Sequence, residues 1–136
     1  MASQEITIPA RPDRLYDVLE FIGGAMRGAE ISESDQNNIN IAVEEIFVNI
    51  ANYAYPNGEG DITVRLSTEQ DQFTVEFKDG GTQYDPLAKP DPDTSLSAEE
   101  RNIGGLGILI VKKLMDRVEY RYENNTNTLL IQKATR

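Results

Sequence analysis

Cysteine and histidine are both absent from the 136 residues. Without cysteine there is no disulfide framework and no thiolate metal site. Without histidine there is no Ser-His or Cys-His nucleophile pair, no imidazole zinc site and no phosphorylatable histidine within the chain. Any general base must therefore be a carboxylate, a lysine or a tyrosine. Long apolar runs are missing too. None approaches the roughly 20 residues that span a bilayer, and the start MASQEITIPARP lacks the basic-then-apolar order of a secretory signal, so a cytoplasmic protein with no membrane partner is expected. Positive charge is scarce: 13 Lys and Arg stand against 23 Asp and Glu, a formal net charge of −10. Nucleic-acid binding draws most of its affinity from clustered Lys and Arg, so direct nucleic-acid contact is disfavoured and protein partners or small ligands fit better.

What is present suits one folded unit. The hydrophobic fraction is 39% and the charged fraction 26%, ordinary for a globular chain of this length, and a single domain over residues 1–136 is expected. Alternation marks a strand at 4–9. Pro12 opens a helical pattern carried by Leu15, Val18, Leu19 and Ile22 as far as Gly28, weakened near its end by Gly23-Gly24. Ser32 or Ser34 can cap a second helix running to about Tyr55, before Pro56-Asn57-Gly58. Strands follow at 62–67 and 72–78. The stretch 86–103 is rich in acids and carries Pro86, Pro90 and Pro92, which reads as a loop or lid. Glycines at 104–107 open a third helix to about Asp116, and strands at 118–122 and 128–132 close the chain through Asn124-Asn125-Thr126-Asn127. This order predicts an α/β (α+β) two-layer sandwich: one mixed, mostly antiparallel sheet covered on one face by helices.

Three segments carry chemistry. On the second helix, at about 100° per residue, Ile39, Val43, Ile46, Phe47, Ile50 and Ala54 gather on the side that packs on the sheet. Glu45, Asn49 and Asn52 form a separate polar stripe, and Glu44 lies off it. Such a stripe is either a structural i,i+4 pair or a metal and phosphate site, with Asn49 giving a neutral oxygen and Glu45 acting as base. Asp79 shares a strand face with Phe73, Val75 and Phe77, so its carboxylate points toward the helix layer. Gly80 and Gly81 after it either make a tight turn or let a flat ligand approach the backbone. Gly104-Gly105-Leu106-Gly107 at a helix start is either a hinge or a ready phosphate site, and Arg101 upstream is either solvated or within reach of a terminal phosphate.

In this order the segments resemble the GHKL superfamily of gyrase, heat-shock chaperone, histidine kinase and mismatch-repair ATPases. E45-I-F-V-N49 is similar to its N box, D79-G-G81-T-Q-Y-D85-P to its first glycine box with the aromatic-Asp-Pro ending of the anti-sigma branch, and G104-G-L-G107-I-L-I-V-K-K-L-M-D116 to its second. The resemblance spans roughly residues 5 to 133 and implies a Bergerat-type ATP-binding fold. By resemblance, Asp79 holds the adenine amine, Asn49 the magnesium ion and Glu45 the position of the catalytic base. Asn52, Gly81, Arg101, Gly105, Leu106 and Gly107 are implied as further nucleotide contacts, under a lid at 86–103. Many anti-sigma kinases carry histidine four residues after the N-box asparagine, where this chain has Tyr53. Members that couple ATP to motion need further domains, and a self-sufficient histidine kinase needs its own histidine. The remaining implication is an ATP- and magnesium-dependent serine/threonine kinase of the anti-sigma type. Its partners would be a small anti-anti-sigma antagonist, which it phosphorylates, and a sigma factor or similar regulator, and the family precedent is a homodimer. The alternative is a nucleotide-binding module that regulates partners without phosphotransfer.

Overall fold

Alternating burial builds the sheet. Ile62, Val64 and Leu66 on β2 (Asp61–Glu69) and Phe73, Val75 and Phe77 on β3 (Gln72–Asp79) are buried, while the residues between them are half-buried or exposed. The computed structural model describes residues 2–56, 59–69, 71–87 and 103–135, the side chains of residues 2 and 103–106 excepted. Most of the expected lid, 88 to 102, and with it Arg101, lies outside the described residues.

With β1 (Ala2–Pro9), β4 (Arg117–Glu123) and β5 (Thr126–Ala134), the strands form one sheet in the order β1-β2-β3-β5-β4, every pairing antiparallel. The central strand β3 pairs with β5, joining segments far apart in sequence and setting Asp79 directly opposite Asn127. One face carries Glu5, Arg65, Glu76, Lys78 and Arg121; the other packs Val64, Phe77, Leu129 and Ile131 under the helices. The result is the expected two-layer α+β sandwich.

A 3-10 turn at Pro12–Arg14 leads into α1 (Leu15–Gly28). Gly23 and Gly24 do not shorten this helix. Burial of Val18, Ile22 and Met26 outweighs a glycine penalty of roughly 1 kcal/mol per residue. The chain leaves α1 through Glu30 at φ 57, where the Ile31 amide donates to the Met26 carbonyl (3.2 Å) and Ile31 is buried. α2 (Glu33–Tyr53) is capped by Ser32, whose Oγ accepts from the Asp35 amide at 3.2 Å. Its packing face is the expected one: Ile39, Val43, Ile46, Phe47, Ile50 and Ala54 are buried, joined by Ala42. α3 (Ile103–Leu114) ends slightly before the expected boundary.

The closing hairpin differs from the sequence expectation. Its turn is two residues, not four: Asn124 and Asn125 stand at φ 53 and φ 60, the left-handed pair of a tight hairpin turn. Thr126 and Asn127 are already in β5, paired with Glu123 and Tyr122.

Candidate functional site

Helix periodicity decides which polar groups of α2 can meet a ligand. Glu45, Asn49 and Asn52 line a cleft bounded by α2, the start of α3 and the sheet, whereas Glu44 is exposed and does not line it. Glu45 and Asn49 are half-buried and Asn52 lies at the exposed rim, next to Tyr53, which is 65% exposed. Between the polar groups the walls are apolar: Ile46, Val48, Ile50, Phe77, Ile108, Val111 and Leu129. The described lining contains no lysine or arginine.

At the sheet end of the cleft stands Asp79, 6% exposed. Its Oδ1 accepts from the Gly81 amide (2.9 Å) and from Asn127 Nδ2 (3.0 Å). Among the described residues both bonds fall on Oδ1, so Oδ2 is available to a ligand. Burial pushes the carboxyl above the ordinary range, and the bonds from Asn127 and Gly81 oppose that by favouring the ionised form. A charged acceptor at the end of an apolar slot can take an N–H from the edge of a flat ring.

The backbone after Asp79 is held from several sides. The Gly80 amide donates to Tyr55 Oη (2.8 Å), and Tyr55 in turn donates to the Asp61 carbonyl (2.7 Å). The Thr82 amide donates to the Ala54 carbonyl at 2.8 Å. Gly81 is required by this approach, since a Cβ there would lie 2.1 Å from the Ala54 oxygen. Gly81 therefore shapes the cleft without lining it.

The opposite end is α3. Gly105 and Leu106 fall in its first turn, and Gly107, Ile108 and Val111 line the cleft. The first amides of a helix have no partner within it, and the helix dipole adds partial positive charge, so an anion is favoured there. A Cβ on Gly107 would sit 2.7 Å from Glu45 Oε2. The acid of α2 thus lies against the glycine turn of α3. The structure brings Glu45, Asn49, Asn52, Asp79 and Gly107 to one cleft, with Gly81 behind it and Arg101 outside the described residues.

Two contributors escaped the sequence reading. From sequence, Tyr55 marks only the helix end, and Asn127 falls in a turn. Asn127 is in fact buried in the cleft wall, bonded to Asp79, to the Thr82 carbonyl (3.0 Å), to the Tyr84 amide (3.2 Å) and to the Tyr120 hydroxyl. Its sequence signal was its spacing from Leu129 and Ile131, which places all three on one strand face once the turn is shortened to Asn124-Asn125.

Comparison with known proteins bears on the family and the fold. The chain is 28% identical over 130 residues to the serine-protein kinase RsbW of Listeria monocytogenes, covering 92% of this chain and 83% of that one. It is 24% identical over 136 residues to RsbW of Bacillus cereus, covering 97% and 85%. The crystal structure of the RsbU and RsbW domains of a Mycobacterium tuberculosis protein superimposes with a TM-score of 0.70 at 15% identity, which shows a shared fold over 98% of this chain and 32% of that longer one. The histidine kinase-like ATPase domain family matches residues 8–133, and with three-quarters or more of the chain inside that span, this protein belongs to that family.

Proposed function

We propose that this protein is an ATP-dependent serine/threonine kinase of the anti-sigma type, which transfers phosphate to a small anti-anti-sigma antagonist and otherwise sequesters a sigma factor or similar regulator. The observation that carries the reading is one cleft with a buried acceptor, Asp79, at one end and a carboxylate, Glu45, beside a glycine-bearing helix start at the other. The kinase relatives above, similar over nearly the whole chain, support it.

ATP is the ligand class of the family. In this reading Asp79 accepts the exocyclic amine of adenine, and Gly81, packed on the Ala54 carbonyl, supports the backbone beside the ring. Asn52, Gly105, Leu106 and Gly107 contact the nucleotide and its phosphates, and Arg101 reaches the terminal one. A magnesium ion bound with the nucleotide would be held by Asn49 and would neutralise charge on the transferring group. Glu45 takes the proton of the attacking serine hydroxyl as its oxygen bonds to the γ-phosphorus and ADP leaves. Residues 1–136 form a single ATP-binding domain in this reading, with 86–103 as its lid, and the protein works in the cytoplasm as a homodimer.

A second reading has an observation of its own. Tyr53, not histidine, stands exposed at the cleft rim, which suits a nucleotide-holding module that binds partners without phosphotransfer. Incubation with γ-labelled ATP, magnesium and candidate antagonist domains separates the two. Label on an antagonist serine is expected. ATP binding without transfer to any antagonist favours the binding module, and absence of ATP binding removes both.

A further inference from the structure

Asn127 is a buried amide whose orientation is fixed by its neighbours. Nδ2 faces three acceptors: Asp79 Oδ1 (3.0 Å), the Thr82 carbonyl (3.0 Å) and the Gly81 carbonyl (3.4 Å). Oδ1 faces two donors, the Tyr84 amide (3.2 Å) and the Tyr120 hydroxyl. Turning the amide over would set oxygen against oxygen and N–H against N–H, so one orientation suits these neighbours, the two N–H groups serving Asp79 and Thr82 at 3.0 Å and the Gly81 carbonyl at longer range. The same side chain therefore orients the Asp79 carboxylate and ties the Gly81–Tyr84 backbone to β5.

We infer that Asn127 is the residue that sets nucleobase selectivity in this cleft: its N–H keeps Asp79 a pure acceptor, so that a purine with an amino group at position 6 is favoured over one with an oxygen there. The inference rests on the reading of the cleft as an ATP site. Asn127 need not touch the base; it is a positioning residue acting through Asp79. An ionised carboxylate accepts from a 6-amino group and repels a 6-oxo group, whereas a protonated one can donate to the oxygen. The choice between these states depends on what surrounds the carboxyl. Tyr55 faces it from the end of α2 and Tyr120 from β4; Asp61 at the start of β2 acts on Tyr55 and Asp85 after β3 acts on Tyr120, while Tyr84 and Glu45 line the same cleft. From α3 the described lining is Gly107, Ile108 and Val111, without charge. The amide of Asn127 and the amide of Gly81 are the donors that favour ionisation. An acid at position 127 would replace a donor with a second carboxyl 3.0 Å away, and two such groups share one proton.

The test is calorimetric titration of ATP and inosine triphosphate, each with magnesium, at about pH 6 and about pH 8, into the unmutated protein and Asn127→Asp, Asn127→Leu and Asn127→Thr. The quantity read is the ratio of the two affinities, which a general loosening of the fold leaves unchanged. The unmutated protein should favour ATP at both pH values. Asn127→Asp should lose roughly tenfold or more of that preference, most at the lower pH where the carboxyl pair holds its proton. Asn127→Leu, which offers no donor, should lose preference as well, and Asn127→Thr, whose hydroxyl can still donate to Asp79, should recover most of it. Should Asn127→Asp fail to fold by thermal melting, the leucine variant carries the same expectation. A ratio unchanged in the folded Asp and Leu variants, with both nucleotides weakened alike, overturns the inference and leaves Asn127 a structural residue. Failure of the unmutated protein to bind ATP removes the ATP reading itself, before any variant is compared.

Discussion

Around Asp79 almost every polar group is accounted for: its carboxylate meets Asn127 and Gly81, Gly80 meets Tyr55, Thr82 meets Ala54 and Tyr84 meets Asn127. Around Gly107, at the other end of the cleft, the close neighbour is the tip of a flexible side chain, Glu45 Oε2. Recognising a flat base needs an acceptor held at one place, which buried and mutually satisfied hydrogen bonds supply. Moving a proton and a phosphoryl group needs a side chain that can shift when its ligand arrives, and a half-buried glutamate against a glycine can do so. One end is built to be rigid and the other to yield.

The largest expected effect lies at the yielding end. Glu45→Gln keeps the shape of the side chain but cannot accept a proton, so phosphate transfer to the antagonist should fall roughly 10²–10⁴-fold while ATP-magnesium affinity stays nearly unchanged. Glu44→Gln, exposed and off the cleft, should alter neither by more than a few fold. Transfer assays and titrations on the pair check this. Loss of transfer with Glu44→Gln but not Glu45→Gln would reassign the base.

At the rigid end, Asp79→Asn should weaken ATP binding roughly ten- to 150-fold, since hydrogen bonds to charged groups contribute about 1.5–3 kcal/mol. Fold stability should move the other way. Burial raises the Asp79 carboxyl above its ordinary range, so the native state binds this proton more tightly than the unfolded chain does. Stability from this group is therefore gained as pH falls through the window between the ordinary and raised values, and lost as pH rises through it. ATP affinity, which needs the carboxylate, should decline as pH falls through the raised value. At neutral pH the neutral asparagine should melt at the same temperature as aspartate or higher. A clear drop in melting temperature with unchanged ATP affinity would turn Asp79 from a ligand group into a structural one.

The smallest effects come from two glycines that sharpen the contrast. Gly81→Ala meets a backbone carbonyl, which cannot swing aside, and should cost about 1–3 kcal/mol of stability in denaturant titration. Gly107→Ala meets the end of a glutamate side chain and should leave stability within about 0.5 kcal/mol while displacing Glu45 and slowing transfer. Equal losses of stability at both positions would erase the distinction between the two ends.

Much of the fold was legible because its signals are local. Alternation at Phe73, Val75 and Phe77, a serine cap at 32 or 34 and the apolar face of α2 each follow from the spacing of a few residues, and the structure reproduces the alternation and the face and selects Ser32 as the cap. The polar stripe was legible for the same reason, since helix geometry separates Glu45 from Glu44 without tertiary information. The antiparallel pairing of β3 with β5, which places Asn127 on Asp79, was not readable, because it joins segments 48 residues apart. Nor was the reach of Tyr55 back to Gly80, 25 residues further on. The error at the hairpin was a single choice: allotting four residues to a turn that needs two removed Asn127 from the strand and so from the site.

That two-residue turn has a consequence for how faithfully the cleft is assembled. Along β5 the cleft asparagine and the core residues Leu129 and Ile131 share one parity. A slip of one place against β3 would turn Asn127 outward, and the same slip would carry Leu129 and Ile131 into water, at roughly 1.5–3 kcal/mol for each large apolar side chain exposed. A copy of the strand misaligned by one residue therefore cannot keep a sound core while turning Asn127 away from Asp79. The hydrophobic alternation thus guards the proposed site against the one-residue slip, because the same shift that would turn Asn127 outward would also expose Leu129 and Ile131.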